Sequence, residues 1–539
     1  MNTATVTALP QHAAYTEPAA RSGGEVLVDM SKTRVLSADG KLAANDEQRK
    51  MLVYLSDKRL LVAEGLNLNP HVQSYMAQLT RQQERYTVVK ASVRQIIDLY
   101  SSGLSANGKS IEHSSMQRQA MELIAHATKR RASDIHIRVR RASTEILFRI
   151  HGDLVRVNDR DSEYGMKLVR TFYQAMADIS EDTFKENARL DARIASPDKL
   201  PDNLFGVRIA TTPTDEATLM VLRLLYNDTG DSTDPVDLGF TSSHSALIQV
   251  LKESPIGMNI ICGPTGSGKS TTLQRILTGQ IREMNGSRHV ITVEDPPEYP
   301  IEDAIQTPVT NADTPEKRSQ AFADSIMGAM RLDPDTIMVG EMRDMASAQM
   351  ALRAAMTGHQ VWTTLHANSA MAIIDRLVDL GLPISMLADH TVITGLVAQR
   401  LVKKLCPHCM LPLSEHQDRI TDKFFDRLKM ALGADWVNVN ITNPDGCPHC
   451  QHTGSIGRTV VAEIIIPDPT FMDHIRHGRK IEARKHWLGE QQGMTFVRHA
   501  LMKIKEGEVD PLVAERSVGR LTMDDLLSDN TLTVSELTS

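Results

Sequence analysis

The chain has 539 residues, with 60 Lys and Arg against 67 Asp and Glu and a formal charge of −7. That mild acidity excludes a chain-wide nucleic-acid coat, 41% hydrophobic and 24% charged residues exclude wholesale disorder, and five cysteines exclude a disulfide scaffold. No run reaches the roughly 18 apolar residues of a membrane helix, and residues 1–25 lack the basic start and apolar stretch of a secretory signal, so the expectation is a soluble, cytosolic chain of about three or four domains.

Residues 1–25, rich in Ala, Thr and Pro, read as disordered. Residues 26–110 read as a small mixed region, with Val26-Leu27-Val28, Met51-Leu52-Val53-Tyr54-Leu55 and a helical stretch through Val93, Ile96, Ile97 and Leu99, and carry no motif. Ser101-Ser102-Gly103 and Asn107-Gly108 mark a break. In 111–226 a helix is expected from Ser114, whose spacing to Gln117 fits a capping box and whose apolar face is Met116, Ala120, Leu123, Ile124 and Ala127. Alternation at Ile135, Ile137 and Val139, then at Ile146, Phe148 and Ile150, predicts strands. Gly152-Asp153 predicts a two-residue turn into Leu154-Val155-Arg156-Val157. This is an α+β unit. Residues 227–237 are polar, rich in turn formers, and read as a linker.

From 238 to 523 short apolar runs (258–262, 290–293, 336–339, 361–365) alternate with helical segments, which predicts an α/β domain with a parallel sheet and crossover helices. Residues 524–539 are an acidic tail. After the first of those runs, Gly263-Pro264-Thr265-Gly266-Ser267-Gly268-Lys269-Ser270, followed by Thr271, fits the P-loop pattern at every fixed position. Glycines let the backbone curl so that several N–H groups face one anion, and the helix start adds its positive end. Lys269 is assigned to the β- and γ-phosphates and the Ser270 hydroxyl to Mg²⁺. A chance glycine-rich turn is the competing reading, and the complete strand, loop, Lys and Ser disfavour it.

A bound triphosphate needs a carboxylate and an ordered water. Glu341 follows the strand Thr336-Ile337-Met338-Val339 and is assigned to Mg²⁺, to the attacking water, or to both. A second strand ends in Glu294-Asp295-Pro296-Pro297-Glu298-Tyr299, where the prolines stop the strand and set Glu294 and Glu298 at its mouth. A third ends at His366, an imidazole able to hydrogen-bond a phosphate. For Glu294 and Glu298 a surface acidic loop is the alternative, and for His366 a structural role.

The order of these motifs resembles the type II secretion and type IV pilus motor ATPases. Members carry a Walker A loop, an acidic box like Ile291–Tyr299, a Walker B segment like Leu332-Asp333-Pro334-Asp335 with Gly340-Glu341-Met342-Arg343-Asp344, and a histidine box like Thr357–Ala370. Ala132-Ser133-Asp134-Ile135-His136-Ile137 also resembles the start of the family's PAS-like domain, and the likeness spans about residues 115–520. It implies a PAS-like domain joined by a flexible linker to a RecA-like ATPase domain, six copies in a ring, ATP and Mg²⁺ at subunit interfaces, and arginines from the PAS-like domain on the phosphates. Arg149, Arg189, Arg193, Arg208 and Arg223 sit in the matching stretches. At Ala188–Arg193 the chain departs from the Gln-Asp-Gly turn of relatives, which leaves open which arginine reaches the phosphate.

Cys406-Pro407-His408-Cys409 and Cys447-Pro448-His449-Cys450 form two C-x-x-C knuckles that complete a tetrahedral thiolate site for Zn²⁺ at the base of a lobe, 406–450. Redox pairs and fortuitous spacing are the alternatives; His408 and His449 are ligands that four thiolates do not need, and Cys262 reads as core. The tetracysteine pattern is similar to that of secretion and pilus-assembly members. The implied function is a homohexameric motor that extrudes a pilin-like fibre or secretes protein, peripheral on the cytoplasmic face of the inner membrane. It would dock on a polytopic platform protein and act on pilin-like subunits indirectly. Chain length and the N-terminus fit a conjugative, plasmid-type pilus. The competing classes are a pilus retraction motor, a non-catalytic scaffold, and a RecA-like nucleic-acid motor. Few aromatics in the lobe (Phe424, Phe425, Trp436) disfavour nucleic acid, whereas Lys269, Ser270 and Glu341 disfavour the scaffold.

Overall fold

The computed structural model describes residues 33–522 except 34, 38–41, 64, 68, 83, 94, 97–98, 101–107, 181–182, 228–231 and 310–313. The 1–25 segment, Val26-Leu27-Val28, the Ser101-Ser102-Gly103 break, the middle of the linker and the 524–539 tail lie outside these residues. The described residues form two compact units, one reaching Leu123 and adding Met166–Met176, the other made of Ile124–Gly165 and the chain from Ala177 onward.

In the first unit β1 (Leu52–Tyr54), β2 (Arg59–Ala63) and β3 (Thr87–Ala91) form a sheet in that order. The parallel β2–β3 pair needs a crossover, and the helix Pro70–Arg81 provides it, capped by Asn69 with Pro70 in its first turn. Alternate residues serve the two faces. Leu52, Tyr54, Leu60 and Val62 pack with Val72, Tyr75 and Leu79, while Val53, Leu55, Leu61 and Ala63 pack with Ile96 and Leu99.

The second unit holds two seven-stranded sheets. The first comprises β4 (Ala132–Val139), β5 (Ser143–Ile150), β6 (Asp153–Asp161), β7 (Ile179–Ser180), β8 (Leu190–Ile194), β9 (Leu204–Pro213) and β10 (Thr218–Tyr226). Its order is β6-β5-β4-β10-β9-β8-β7, antiparallel throughout. The expected alternation holds: Ile135, Ile137, Val139, Ile146, Phe148 and Ile150 are buried. Two local expectations change. The helix starts at Gly108, so Ser114 lies inside it and not at its start. The hairpin turn is His151-Gly152, with φ of 49° and 96°, and β6 begins at Asp153, because a tight turn matching strand twist needs positive φ at both central residues.

The second sheet comprises β11 (Gly257–Cys262), β12 (Val290–Glu294), β13 (Ile305–Pro308), β14 (Thr336–Val339), β15 (Gln360–Leu365), β16 (Ile393–Leu405) and, after the small pair β17 (Leu411–Pro412) and β18 (Asn440–Ile441), β19 (Ser455–Ile465). Its order is β13-β12-β14-β15-β11-β16-β19, with every pair parallel except β16–β19. All residues of β11, β12, β14 and β15 are buried, as a sheet covered on both faces requires. The linker is not free along its whole length. Asp234 accepts from the Val236 N–H at 3.0 Å and the Ser245 hydroxyl at 2.9 Å, and Arg275 donates to the Ser232 carbonyl, so the 232–234 end is tied to the helices Ser242–Glu253 and Lys269–Glu283. Among the described residues no helix is long and apolar enough to cross a membrane.

Candidate functional site

The P-loop joins β11 to the helix Lys269–Glu283, whose cap, Gly268, has φ 86°. A Cβ on Gly263 (φ 153°) would lie 2.4 Å from the Gln399 carbonyl and 2.6 Å from Ser267 Oγ, so only glycine fits between loop and β16. Lys269 Nζ donates to the loop's own carbonyls, Gly263 O at 2.8 Å and Pro264 O at 3.2 Å. Burial holds its ammonium below the usual lysine range, opposed by the Glu341 and Glu298 carboxylates. Ser267 Oγ and Gln399 Oε1 are buried with no partner among the described residues. A cradle of glycines, a cation and orphaned polar atoms fits a polyphosphate.

Glu341 leaves β14 facing the same crevice. Its Oε1 lies 2.8 Å from His366 Nε2 at the end of β15, and its Oε2 accepts from Arg343 Nε at 2.7 Å. His366 is thus held on Glu341. Glu294, 6% exposed, accepts from Thr292 Oγ1 at 2.7 Å and Gln306 Nε2 at 2.9 Å, and burial pushes its carboxyl up. Asp295 takes Arg318 at 3.4 Å and Arg343 at 3.5 Å. The structure therefore gathers Lys269, Glu341, His366 and Glu298, and turns Glu294 toward its own sheet edge.

Four of the five expected arginines lie in one line. Strand register sets Arg149 opposite Asp134, Asp134 opposite Arg223, Arg223 opposite Arg208, and Arg208 opposite Arg193. The line crosses β5, β4, β10, β9 and β8, and Arg208 Nη1 reaches Glu298 Oε1 at 3.4 Å. Arg193 stacks over Phe205 at 5.2 Å; burial, then the Arg208 charge, holds its guanidinium below the usual range. Arg189 precedes β8, exposed and outside the line. Like charges directly opposite destabilise a sheet by about 0.2–1 kcal/mol per pair, a cost that an anion would relieve.

Sequence reasoning missed β16 and β19, which wall the loop on its other side. Gln399, 0% exposed, donates from Nε2 to the Ser267 carbonyl at 2.8 Å. Arg400 donates to the Asn368 carbonyl at 3.0 Å and stacks on Phe496 at 4.5 Å. A cavity of about 260 Å³ lies between Pro264–Ser267 and His151, Gly152, Arg400, Lys403 and Arg458. The apolar triplets Leu396-Val397-Ala398 and Val460-Val461-Ala462 were the available strand signal.

The four knuckle cysteines converge. Their sulfurs all lie within 4.8 Å of one another, with Cys406–Cys447 and Cys409–Cys450 at 3.8 Å and Cys447–Cys450 at 3.7 Å. A tetrahedron with Zn–S of about 2.3 Å has S···S edges of about 3.8 Å, whereas a disulfide needs about 2.05 Å. Cys450 Sγ accepts N–H bonds from Cys447 at 3.1 Å and Gly454 at 3.2 Å, which favours a thiolate. The set fits a thiolate metal site and not disulfides. His408 and His449 pack on each other, rings 4.0 Å apart, outside the donor group. Cys262 is buried beside the loop, and burial pushes its thiol up to about 12.

Residues 109–523 match the family model described as Type II/IV secretion system protein. The chain belongs to that family. It is 33% identical over 389 residues to a putative type II secretion system protein E of Escherichia coli K12, covering 72% of this chain and 73% of that protein. It is 34% identical over 390 residues to the type II secretion system ATPase E of Vibrio cholerae, covering 72% and 71%. The ATPase DotB of Legionella pneumophila shares the fold, with TM-score 0.50, 22% identity, and coverage of 73% of this chain and 93% of that one. This family member is an α/β ATPase of the secretion type, with a P-loop and a tetracysteine cluster.

Proposed function

We propose that the ATPase is a hexameric ring motor that powers assembly of a type IV pilus, or export through a type II secretion machine. It would act at the cytoplasmic face of the inner membrane on a polytopic platform protein, and through it on pilin-like subunits. The observation that carries the reading is the convergence of Lys269, Glu341 with His366, and Glu298 with Arg208 on one crevice. The working parts are a PAS-like domain 111–226, a linker 227–237, and an ATPase domain 238–523 that includes the lobe 406–450.

The amides of 263–271 and Lys269 hold the β- and γ-phosphates of ATP. Mg²⁺, when bound, neutralises phosphate oxygens, and Ser270 and Glu341 are the residues that would hold it. Glu341 accepts a proton from the attacking water as the new P–O bond forms and the bond to ADP breaks. His366 on Oε1 and Arg343 on Oε2 fix the orientation of that carboxylate. The arginine line supplies cation to the developing charge. Cys406, Cys409, Cys447 and Cys450 hold Zn²⁺ as a structural clamp on the lobe.

In the ring reading the nucleotide lies at subunit interfaces, so catalysis depends on assembly. Specific ATPase activity should rise with protein concentration as the ring forms, read by light scattering and turnover across one dilution series. Constant specific activity from a monomer at every concentration would overturn the ring.

A further inference from the structure

Asp134 is the one carboxylate in the arginine line, and its position is set by register on both sides. β4 lies between β5 and β10, so Asp134 faces Arg149 across one seam and Arg223 across the other. Oδ1 accepts from Arg223 Nε at 3.1 Å; Oδ2 lies 3.7 Å from Arg149 Nε and accepts from Ser133 Oγ at 2.8 Å. The carboxylate is 5% exposed, so it requires those partners. A guanidinium gripped at Nε keeps its terminal nitrogens for another acceptor. Arg149 Nη1 uses one on the Gly152 carbonyl at 2.8 Å, the turn that lines the P-loop cavity.

We propose that Asp134 is a positioning residue for ATP hydrolysis, its buried carboxylate orienting Arg149 and Arg223 so that the arginine line meets the nucleotide phosphates in a fixed geometry. This rests on the reading of that line as phosphate-facing. Without the carboxylate, three adjacent like charges, Arg223, Arg208 and Arg193, repel with no anchor at the end of the line, and Arg223 swings among its rotamers. The cation is still present but is no longer aimed, so turnover falls while the P-loop still binds nucleotide.

The test uses the full chain with D134N, R223Q and their double variant, measuring kcat, KM and the affinity of a fluorescent ATP analogue. D134N and R223Q should each lower kcat about tenfold with analogue affinity within about threefold, and the double variant should lose no more than the worse single. D134E, with the carboxylate on a longer arm, should recover part of kcat. Fold-losses that multiply in the double variant, or wild-type kcat in D134N beside an impaired R223Q, overturn the role of Asp134 alone. Wild-type kcat in R223Q overturns the phosphate-facing reading itself. If D134N does not fold, D134E decides: reduced kcat at unchanged affinity supports the role, and wild-type kcat overturns it.

Discussion

The P-loop and the arginine line make an instructive pair. The loop draws its groups from consecutive residues, Gly263 to Thr271, and most of its donors are backbone amides whose direction follows from the turn and the helix start. The line draws its groups from five strands, with side chains from Asp134 to Arg223 aligned by pairing across the sheet. The loop tolerates changes elsewhere because its geometry is local. The line is only as good as its register, since a one-residue slip in any strand turns that strand's side chain to the other face.

Breaking the loop should cost most. Lys269→Ala removes the cation proposed to meet the transferred phosphoryl group, and ATP turnover should fall by about 10³-fold or more at an unchanged melting temperature. Glu341→Gln keeps the shape and loses the base. The variant should bind ATP and turn over about 10²–10³-fold more slowly, and an unchanged rate would move the role to Glu298. The line should be weaker and selective. Arg208→Gln, which also frees Glu298, should lower kcat about tenfold, whereas Arg189→Gln, one residue outside the register, should leave it within about twofold. Equal losses from both would mean that general positive charge, not alignment, is what matters.

The smallest effect on nucleotide chemistry is expected from the metal. Purified protein should carry about one zinc per chain, and Cys406→Ser should lower that and loosen the lobe, read by elemental analysis and amide exchange. ATP affinity should change by about twofold at most. β16 is one continuous strand from Gln399 at the loop to Leu405 before Cys406, so separation in sequence is no insulation. What insulates the loop is β11, which pairs with β16 through Ala398 and holds it whether or not the far end is clamped.

Legibility followed the same division. Lys269, Ser270, Glu341 and the four cysteines were readable because their chemistry is written in short contiguous patterns. β16 was not, because Gln399, Arg400, Lys403 and Lys404 interrupt its apolar run, and Ser114 and Gly152-Asp153 misled because local cap and turn signals were outvoted by an upstream helix and by the twist of paired strands.

By itself the sequence determined the P-loop, the strand-end acid, the histidine after the third strand and the four-cysteine set, since each depends on the residue types within a few positions. Tertiary structure alone decided that Glu294 turns to Gln306 while His366 sits on Glu341, that β16 and β19 wall the loop, and that Arg149, Arg223, Arg208 and Arg193 form one line with Asp134 among them while Arg189 does not. Those outcomes depend on strand order and register, which are set by burial across the whole sheet and have no local signature in the chain.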